Sequence, residues 1–275
     1  MLIKDALLYG KKFLSESSSS AFLDSLVLLK FITGLTKEKI LLSDAQISPE
    51  AFDNFCALLI KRKNFMPIQY IINSTQFMGL DFYVDQNVLI PRADTEILVE
   101  NAIEFIGGKK VNVLELCTGS GCIGIALKKF CPNINIYCVD VSQDAIDIAK
   151  KNALYNGVDI EFKCADIFEE FASDIPPIFD IIISNPPYIN SEQIFKLDKC
   201  VKDYEPIIAL DGGKDGLKFY SFIAQKISHK CKLFLEIGCD QAQSVSNILL
   251  ENNFVNIKVV KDLAGLNRVI YADKE

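Results

Sequence analysis

The sequence predicts an α/β protein: a doubly wound, seven-stranded, mostly parallel sheet covered on both faces, preceded by a small N-terminal helical bundle. Three observations carry this. From residue 111 onward, short apolar runs alternate with segments of helical periodicity, the pattern of parallel strands joined by crossover helices. The run Ile181-Ile182-Ile183 reads as a buried strand and stops at Asn185-Pro186-Pro187-Tyr188, because neither proline has an N–H to give a sheet ladder. Residues 1–64 instead repeat apolar positions at helical spacing.

In the first segment, Leu2, Ile3, Leu7, Leu8, Phe13 and Leu14 predict a helix over 2–14. Serines 17 to 20 read as a loop whose last member caps a second helix over 21–33, ended by Gly34. A short helix at 36–42 and a longer one at 49–64, with Pro49 in its first turn, complete the bundle. Residues 1–66 are the expected first domain, suited to recognising a macromolecular partner. Residues 67–90 read as a β-hairpin linker, with strands at 69–72 and 77–84 around turns at Asn73-Ser74 and Met78-Gly79. Residues 91–275 form the expected catalytic domain. It opens with Pro91-Arg92-Ala93-Asp94-Thr95-Glu96, in which Asp94 is placed to cap a helix and Arg92 to reach a carboxylate or phosphate.

Strands are expected at 111–116, 134–139, 159–164, 179–184 and 231–237, and helices at 121–130, 143–155, 216–229 and 240–252. Two last strands, near 254–260 and 267–272, are separated by too few residues for a crossover helix, so they should pair antiparallel.

Bulk properties exclude several classes. Asp24 and Lys30 interrupt the longest apolar run, and Asp5 precedes any signal-like core, so neither a membrane span nor a secretory leader is expected. The nine cysteines are odd in number and contain no Cys-x-x-Cys; they read as free thiols of a reducing cytoplasm, with no metal site. Net charge is −7. Residues 1–80 carry 9 Lys and Arg against 7 Asp and Glu, and the remainder 20 against 29, so direct nucleic-acid binding is not expected. Lys61-Arg62-Lys63 reads as a solvated helix end, and the only histidine, His229, as a surface or cap residue. A monomer is the expected state.

The chemistry lies at strand ends. The strand ending Glu115-Leu116 runs into Cys117-Thr118-Gly119-Ser120-Gly121, with Gly124 beyond. Glycines there let a ligand approach the backbone. Asp140 ends the next strand, where an acid accepts ribose hydroxyls, and Asp166 follows the third, where an acid takes an exocyclic amine and Ile167 or Phe168 covers a purine. Gly119, Gly121 and Gly124 fit a dinucleotide fingerprint, but Glu115 would repel a pyrophosphate and suits the ammonium of S-adenosylmethionine, which Asp166 also favours.

Asn185-Pro186-Pro187-Tyr188 resembles the signature of the amino-methylating branch of class I methyltransferases. Taken with Pro91 to Glu96, Glu115 to Gly121, Tyr204-Glu205-Pro206 and Ala209 to Gly213, it resembles the peptide chain release factor glutamine N5-methyltransferase family across essentially the whole chain. The resemblance implies methyl transfer from S-adenosylmethionine, leaving S-adenosylhomocysteine, to the glutamine of the Gly-Gly-Gln motif in class 1 release factors. It implies that Asn185, Pro186, Pro187 and Tyr188 hold that glutamine, and that Cys117, Thr118, Gly119, Ser120, Gly121, Asp140, Ile167 and Asn185 line the cofactor pocket. The family usually has glycine where this chain has Cys117.

An amide nitrogen is a poor nucleophile because its lone pair is delocalised. The expected catalytic device is a pair of acceptors, the Asn185 side-chain oxygen and the Pro186 carbonyl, each taking one substrate N–H and aiming the nitrogen, with Tyr188 packed over the amide plane. The readings left open are a ribosomal-protein glutamine as target, an adenine N6 group, and a nicotinamide-dependent oxidoreductase or inactive nucleotide-binding module.

Overall fold

The computed structural model describes residues 1–170 and 179–275. They divide into two compact units, Met1–Ser74 with Asp198–Tyr204, and Thr75–Leu197 with Glu205–Glu275. The division expected after residue 66 thus falls after Ser74, and the hairpin belongs to the second unit. No helix of the described residues is long and apolar enough to cross a membrane.

In the first unit, helices Ile3–Leu14, Ala21–Thr33, Lys37–Leu42 and Pro49–Lys63 pack around Leu14, Leu28, Leu29, Phe55 and Leu59. Ser48 caps the fourth helix by accepting from Ala51 N at 3.1 Å, and Gly34 ends the second at φ 66°. Two expectations are corrected here. Ser20 makes no side-chain cap; with Ser18 it binds the buried Asp24 carboxylate. Arg62 is not solvated, because its Nε donates to the same carboxylate at 2.6 Å. The strand expected at 69–72 is a helix, Ile68–Ile72. Pro67 leads into it, Asn73 ends it at φ 51°, and the buried Ile71 joins the helical core. So short an apolar run has no period that separates helix from strand.

The second unit opens with a hairpin of β1 (Thr75–Phe77) and β2 (Leu80–Phe82). Met78 and Gly79 both have positive φ, the geometry of a tight hairpin turn whose twist matches its strands. The sheet follows: β3 (Asn112–Leu116), β4 (Asn135–Asp140), β5 (Glu161–Cys164), β6 (Ile181–Ser184), β7 (Cys231–Glu236), β8 (Phe254–Lys261) and β9 (Asn267–Lys274). Their order is β5-β4-β3-β6-β7-β9-β8. The first five are parallel, and β9 pairs antiparallel with both β7 and β8.

Alternation divides the central strands between two cores. Ile181 and Ile183 pack with Leu98, Ile123 and Ala153, from helices Thr95–Ile106, Cys122–Phe130 and Gln143–Asn156. Ile182 packs on the other face with Ile223 and Leu249, from helices Lys218–Lys226 and Ala242–Glu251. Because both faces are covered, even polar side chains of the middle strands are buried, among them Glu115, Ser184 and Glu236. From β3 the chain winds outward to β4 and β5, then returns to β6 on the opposite side of β3. That reversal opens a crevice at the carboxyl ends of β3 and β6, where doubly wound sheets bind ligands.

Candidate active site

Register sets the site. Leu116 pairs with Ser184 on one side and Val139 on the other, and Asp140 pairs with Cys164. The residues just beyond, Cys117, Asp140, Asp166 and Asn185, therefore come out at one level. Ser184 Oγ donates to Leu116 O at 2.7 Å and ties the two loops at their roots.

A cleft of about 460 Å³ opens there. Cys117, Gly119, Asp140, Asp166, Ile167, Asn185 and Pro187 line it, as do Val88, Leu89, Val141, Phe168, Ile207 and Lys218. The walls are mainly apolar, with the carboxylates of Asp140, Asp166 and Asp211 and the side-chain amides of Asn87 and Asn185. Asp140 is bound by its own loops: Gly119 N donates to Oδ2 at 2.8 Å and Ser142 N to Oδ1 at 3.0 Å. Burial nevertheless raises its pKa, against the pull of those N–H groups. Asp166 Oδ1 accepts from Phe168 N at 2.8 Å, which fixes the turn carrying Ile167 and Phe168. Lys218 Nζ lies 4.3 Å from the centre of the Phe168 ring, close enough for a cation–π contact.

The glycine-rich turn is shaped by space as well as conformation. A Cβ at Gly121, where φ is 80°, would stand 3.0 Å from Ala149 Cβ; one at Gly124 would strike Glu115 Oε2 at 2.5 Å. Cys117 adopts φ 58°, the left-handed region that favours glycine. Burial pushes its thiol well above the ordinary value, so it is a neutral wall of the cleft.

Several residues expected at the ligand stand elsewhere. Glu115 is fully buried and does not line the cleft. Leu114 and Leu116 face one core, so strand alternation turns Glu115 to the other face, toward helix Cys122–Phe130. There its Oε2 accepts from Gly124 N and Cys138 Sγ, both at 3.0 Å. Burial raises it to about 7. Its role is to brace the turn from behind. Thr118 and Ser120 are buried, and neither they nor Gly121 lines the cleft. Arg92 also lies off the cleft; the carboxylate it reaches is Glu205, at 2.6 Å. Asp94 precedes helix Thr95–Ile106 without a side-chain cap, and pairs instead with Arg268 at 3.2 Å.

The Asn185 to Tyr188 loop divides its duties. Asn185 and Pro187 line the cleft, whereas Pro186 is buried beneath and Tyr188 turns away. Tyr188, expected to pack over the substrate amide plane, does not line the cleft; its ring packs against the core and its hydroxyl donates to Glu236 Oε1 at 3.4 Å. The Asn185 Nδ2 donates to Thr95 Oγ1 at 3.2 Å. Gln241 Nε2 holds the Tyr188 carbonyl at 2.9 Å. A Cβ on Gly212 would meet Pro187 O at 2.8 Å, so the Asp211-Gly212-Gly213 turn lies hard against the loop. His229 is elsewhere, beside Phe179 at the start of β7 and the opposite end of the sheet.

Sequence reasoning missed Val88, Leu89, Ile207, Ile208 and Lys218 in the cleft and Glu236 behind it. Val88, Leu89 and Lys218 come from segments with no local motif, whereas Ile207 and Ile208 lie between the Tyr204-Glu205-Pro206 and Ala209 to Gly213 motifs, and Glu236 carried the signal of a lone acid ending an apolar strand.

Comparison with known proteins is consistent along the chain. Residues 5–72 match the PrmC N-terminal domain model and residues 93–199 the methyltransferase small domain model. The chain is 41% identical over 290 residues to the release factor glutamine methyltransferase of Clostridium acetobutylicum, covering 99% of this chain and 98% of that protein. It is 34% identical over 274 residues to the protein of that name from Geobacter sulfurreducens, covering 98% and 95%. Among solved structures, a methyltransferase from Pyrococcus furiosus matches 81% of this chain and 98% of its own, at 16% identity and TM-score 0.52. A T. Thermophilus 16S rRNA N2 methyltransferase in complex with AdoMet and guanosine matches 74% and 50%, at 17% identity and the same TM-score of 0.52. These two likenesses establish the fold.

Proposed function

The chain belongs to the release factor glutamine methyltransferase family, and from that premise we propose that it methylates the N5 side-chain amide of the glutamine in the Gly-Gly-Gln motif of class 1 release factors, with S-adenosylmethionine as methyl donor. The observation that carries this reading is the Asn185 amide at the edge of the cleft. Its Nδ2 is committed to Thr95, so its oxygen is the end available to a ligand. A substrate amide brings two N–H donors, which an oxygen can accept and a nitrogen cannot.

The cleft suits the donor. Each Asp140 oxygen already accepts one backbone N–H and keeps a lone pair for a ribose hydroxyl. Ile167, Phe168 and Val141 provide apolar walls for an adenine ring, and Asp166 an acceptor for its amine. The open side of Gly119, where an added Cβ would meet nothing within 4 Å, leaves room beside the turn. When bound, S-adenosylmethionine supplies a methyl group already activated by its sulfonium.

The residues of the chain then have only to aim the nucleophile. Asn185 Oδ1 accepts one substrate N–H and the backbone carbonyl of Pro186, whose ring is buried behind the cleft wall, accepts the other, which turns the nitrogen lone pair toward the methyl. Positive charge grows on that nitrogen during transfer, so both hydrogen bonds strengthen in the transition state. Orientation of this kind is worth several kcal/mol. Tyr188 supports the loop from the core side, and the nitrogen loses its proton to solvent afterwards. The helical first unit is read as the part that recognises the release factor, in the cytoplasm.

Incubation with labelled S-adenosylmethionine and either a class 1 release factor or ribosomal protein tests this. Label in the release factor is the expected result; label confined to ribosomal protein would reassign the substrate.

A further inference from the structure

The Asn185 to Tyr188 loop is poor in groups that could hold it in place. Its two prolines offer no N–H at 186 or 187, and the Pro186 carbonyl serves the substrate in the reading above. The chain just beyond secures it instead. Ile189 N donates to Leu210 O at 3.0 Å and Gly212 N to Ile189 O at 2.8 Å, a short parallel bridge between Ile189 and Asp211. Tyr188 O, between the prolines and that bridge, is taken by Gln241, whose Nε2 donates to it at 2.9 Å from 53 residues away.

Gln241 precedes helix Ala242–Glu251, and both ends of its amide are used. Oε1 accepts from Gly238 N at 2.9 Å, in the loop that leaves β7. That donor fixes which end of the amide is the oxygen, so the nitrogen faces Tyr188 O and, at 3.3 Å, Gly216 O. Tyr220 Oη also lies 3.3 Å from Oε1, but its one proton has a nearer acceptor in Glu236 O at 2.9 Å. Gly216 makes the approach possible. Its φ is 73°, and a Cβ there would stand 2.7 Å from Gln241 Nε2 and strike the Tyr188 carbonyl.

We propose that Gln241 is a positioning residue for methyl transfer: it latches Tyr188 O to the loop after β7 and so sets where the Asn185 oxygen and the Pro186 carbonyl stand. This rests on the methyl-transfer reading above and adds to it how the two acceptors are kept in place. The prolines transmit the constraint. Each ring fixes φ at about −65°, and each restricts the residue before it, so a shift at Tyr188 is passed on to Asn185 instead of being absorbed between them. A misplacement of about 1 Å can cost about a hundredfold in rate. The polar walls expected to hold the cofactor have a separate origin, at the ends of β3 and β4 and at Asp166. The latch therefore acts on the rate and not on cofactor binding.

Gln241→Met and Gln241→Glu test the latch. Methionine keeps the length of the side chain and loses these hydrogen bonds. Glutamate keeps an acceptor for Gly238 N, but at about pH 8 it is ionised and turns a carboxylate oxygen on the Tyr188 and Gly216 carbonyls. With a class 1 release factor as substrate, both variants should lower kcat at least about tenfold, while KM for the release factor and affinity for S-adenosylhomocysteine stay within about threefold. A residue that only stabilises the fold would leave kcat per folded molecule unchanged, and titration with S-adenosylhomocysteine counts the folded molecules.

Hydrogen exchange needs no substrate. The Ile189 and Gly212 amides should exchange at least about tenfold faster in either variant than in the wild type, while the Gly119 amide, held by Asp140, keeps its rate. Wild-type kcat in both variants, a loss of S-adenosylhomocysteine affinity as large as the loss of kcat, or unaltered exchange at Ile189 and Gly212 would each overturn the latch. Faster exchange in the variants, together with a wild type that leaves the release factor unmethylated, would support the latch and overturn the substrate.

Discussion

Asn185 and Thr95, 90 residues apart in sequence, meet through a single hydrogen bond of 3.2 Å. It links the loop after β6 to the first turn of helix Thr95–Ile106, and it decides which end of the Asn185 amide faces the cleft. Asn185→Ala should abolish methyl transfer while leaving S-adenosylhomocysteine affinity within a few-fold, read by titration calorimetry beside turnover. Retained turnover would refute the paired-acceptor geometry.

Asp140 has the opposite profile. Its carboxylate holds Gly119 N and Ser142 N and borders the cleft. Asp140→Ala should weaken S-adenosylhomocysteine binding by about 1–3 kcal/mol, the penalty for unsatisfied partners of a charged group. The fold should survive, because the core of the sheet lies beneath. Wild-type affinity in this variant would remove Asp140 from the cofactor site.

Cys117 stands at φ 58°, where a side chain costs about 1–2 kcal/mol relative to glycine's freedom. Cys117→Gly should leave stability equal or higher in denaturant titration, since relieved strain offsets the added freedom of the unfolded chain. Cys117→Val, with a branched Cβ at the same φ, should lower it by about 2 kcal/mol. The thiol should also resist alkylation, because burial keeps it protonated, whereas the exposed Cys164 and Cys239 should label first. Mass mapping after brief iodoacetamide treatment reads this out.

Two buried acids tie stability to pH. Burial raises both Glu115 and Glu236 from an ordinary 4.5 to about 7. Between those values the folded chain keeps protons that the unfolded chain releases. Their stabilisation is therefore full below about pH 4.5 and is lost as pH rises to about 7. Glu115→Gln should remove its share of that slope, up to about 3 kcal/mol, in denaturation curves compared between about pH 5 and pH 8. A variant with the wild-type slope would contradict it.

Much of this was legible because local chemistry and tertiary packing agree. Ile181 to Ile183 read as a buried strand and form one, and the helix expected at 21–33 is Ala21–Thr33. The short loop after β8 does force antiparallel pairing. Errors arose where neighbourhood in sequence stood in for orientation in space. Glu115 adjoins the glycine turn, yet the two-residue period of its strand turns it to the opposite face. Tyr188 follows the prolines, yet its hydroxyl finds a buried acid that no local pattern connects to it. Segment 69–72 was too short for its period to choose between helix and strand.

The most direct test of the central claim is tandem mass spectrometry of a class 1 release factor after incubation with this protein and S-adenosylmethionine. The account predicts a gain of one methyl group on the glutamine of the Gly-Gly-Gln motif, absent when Asn185→Ala replaces the wild type. An unmodified glutamine, or a methyl group on any other residue, would contradict it.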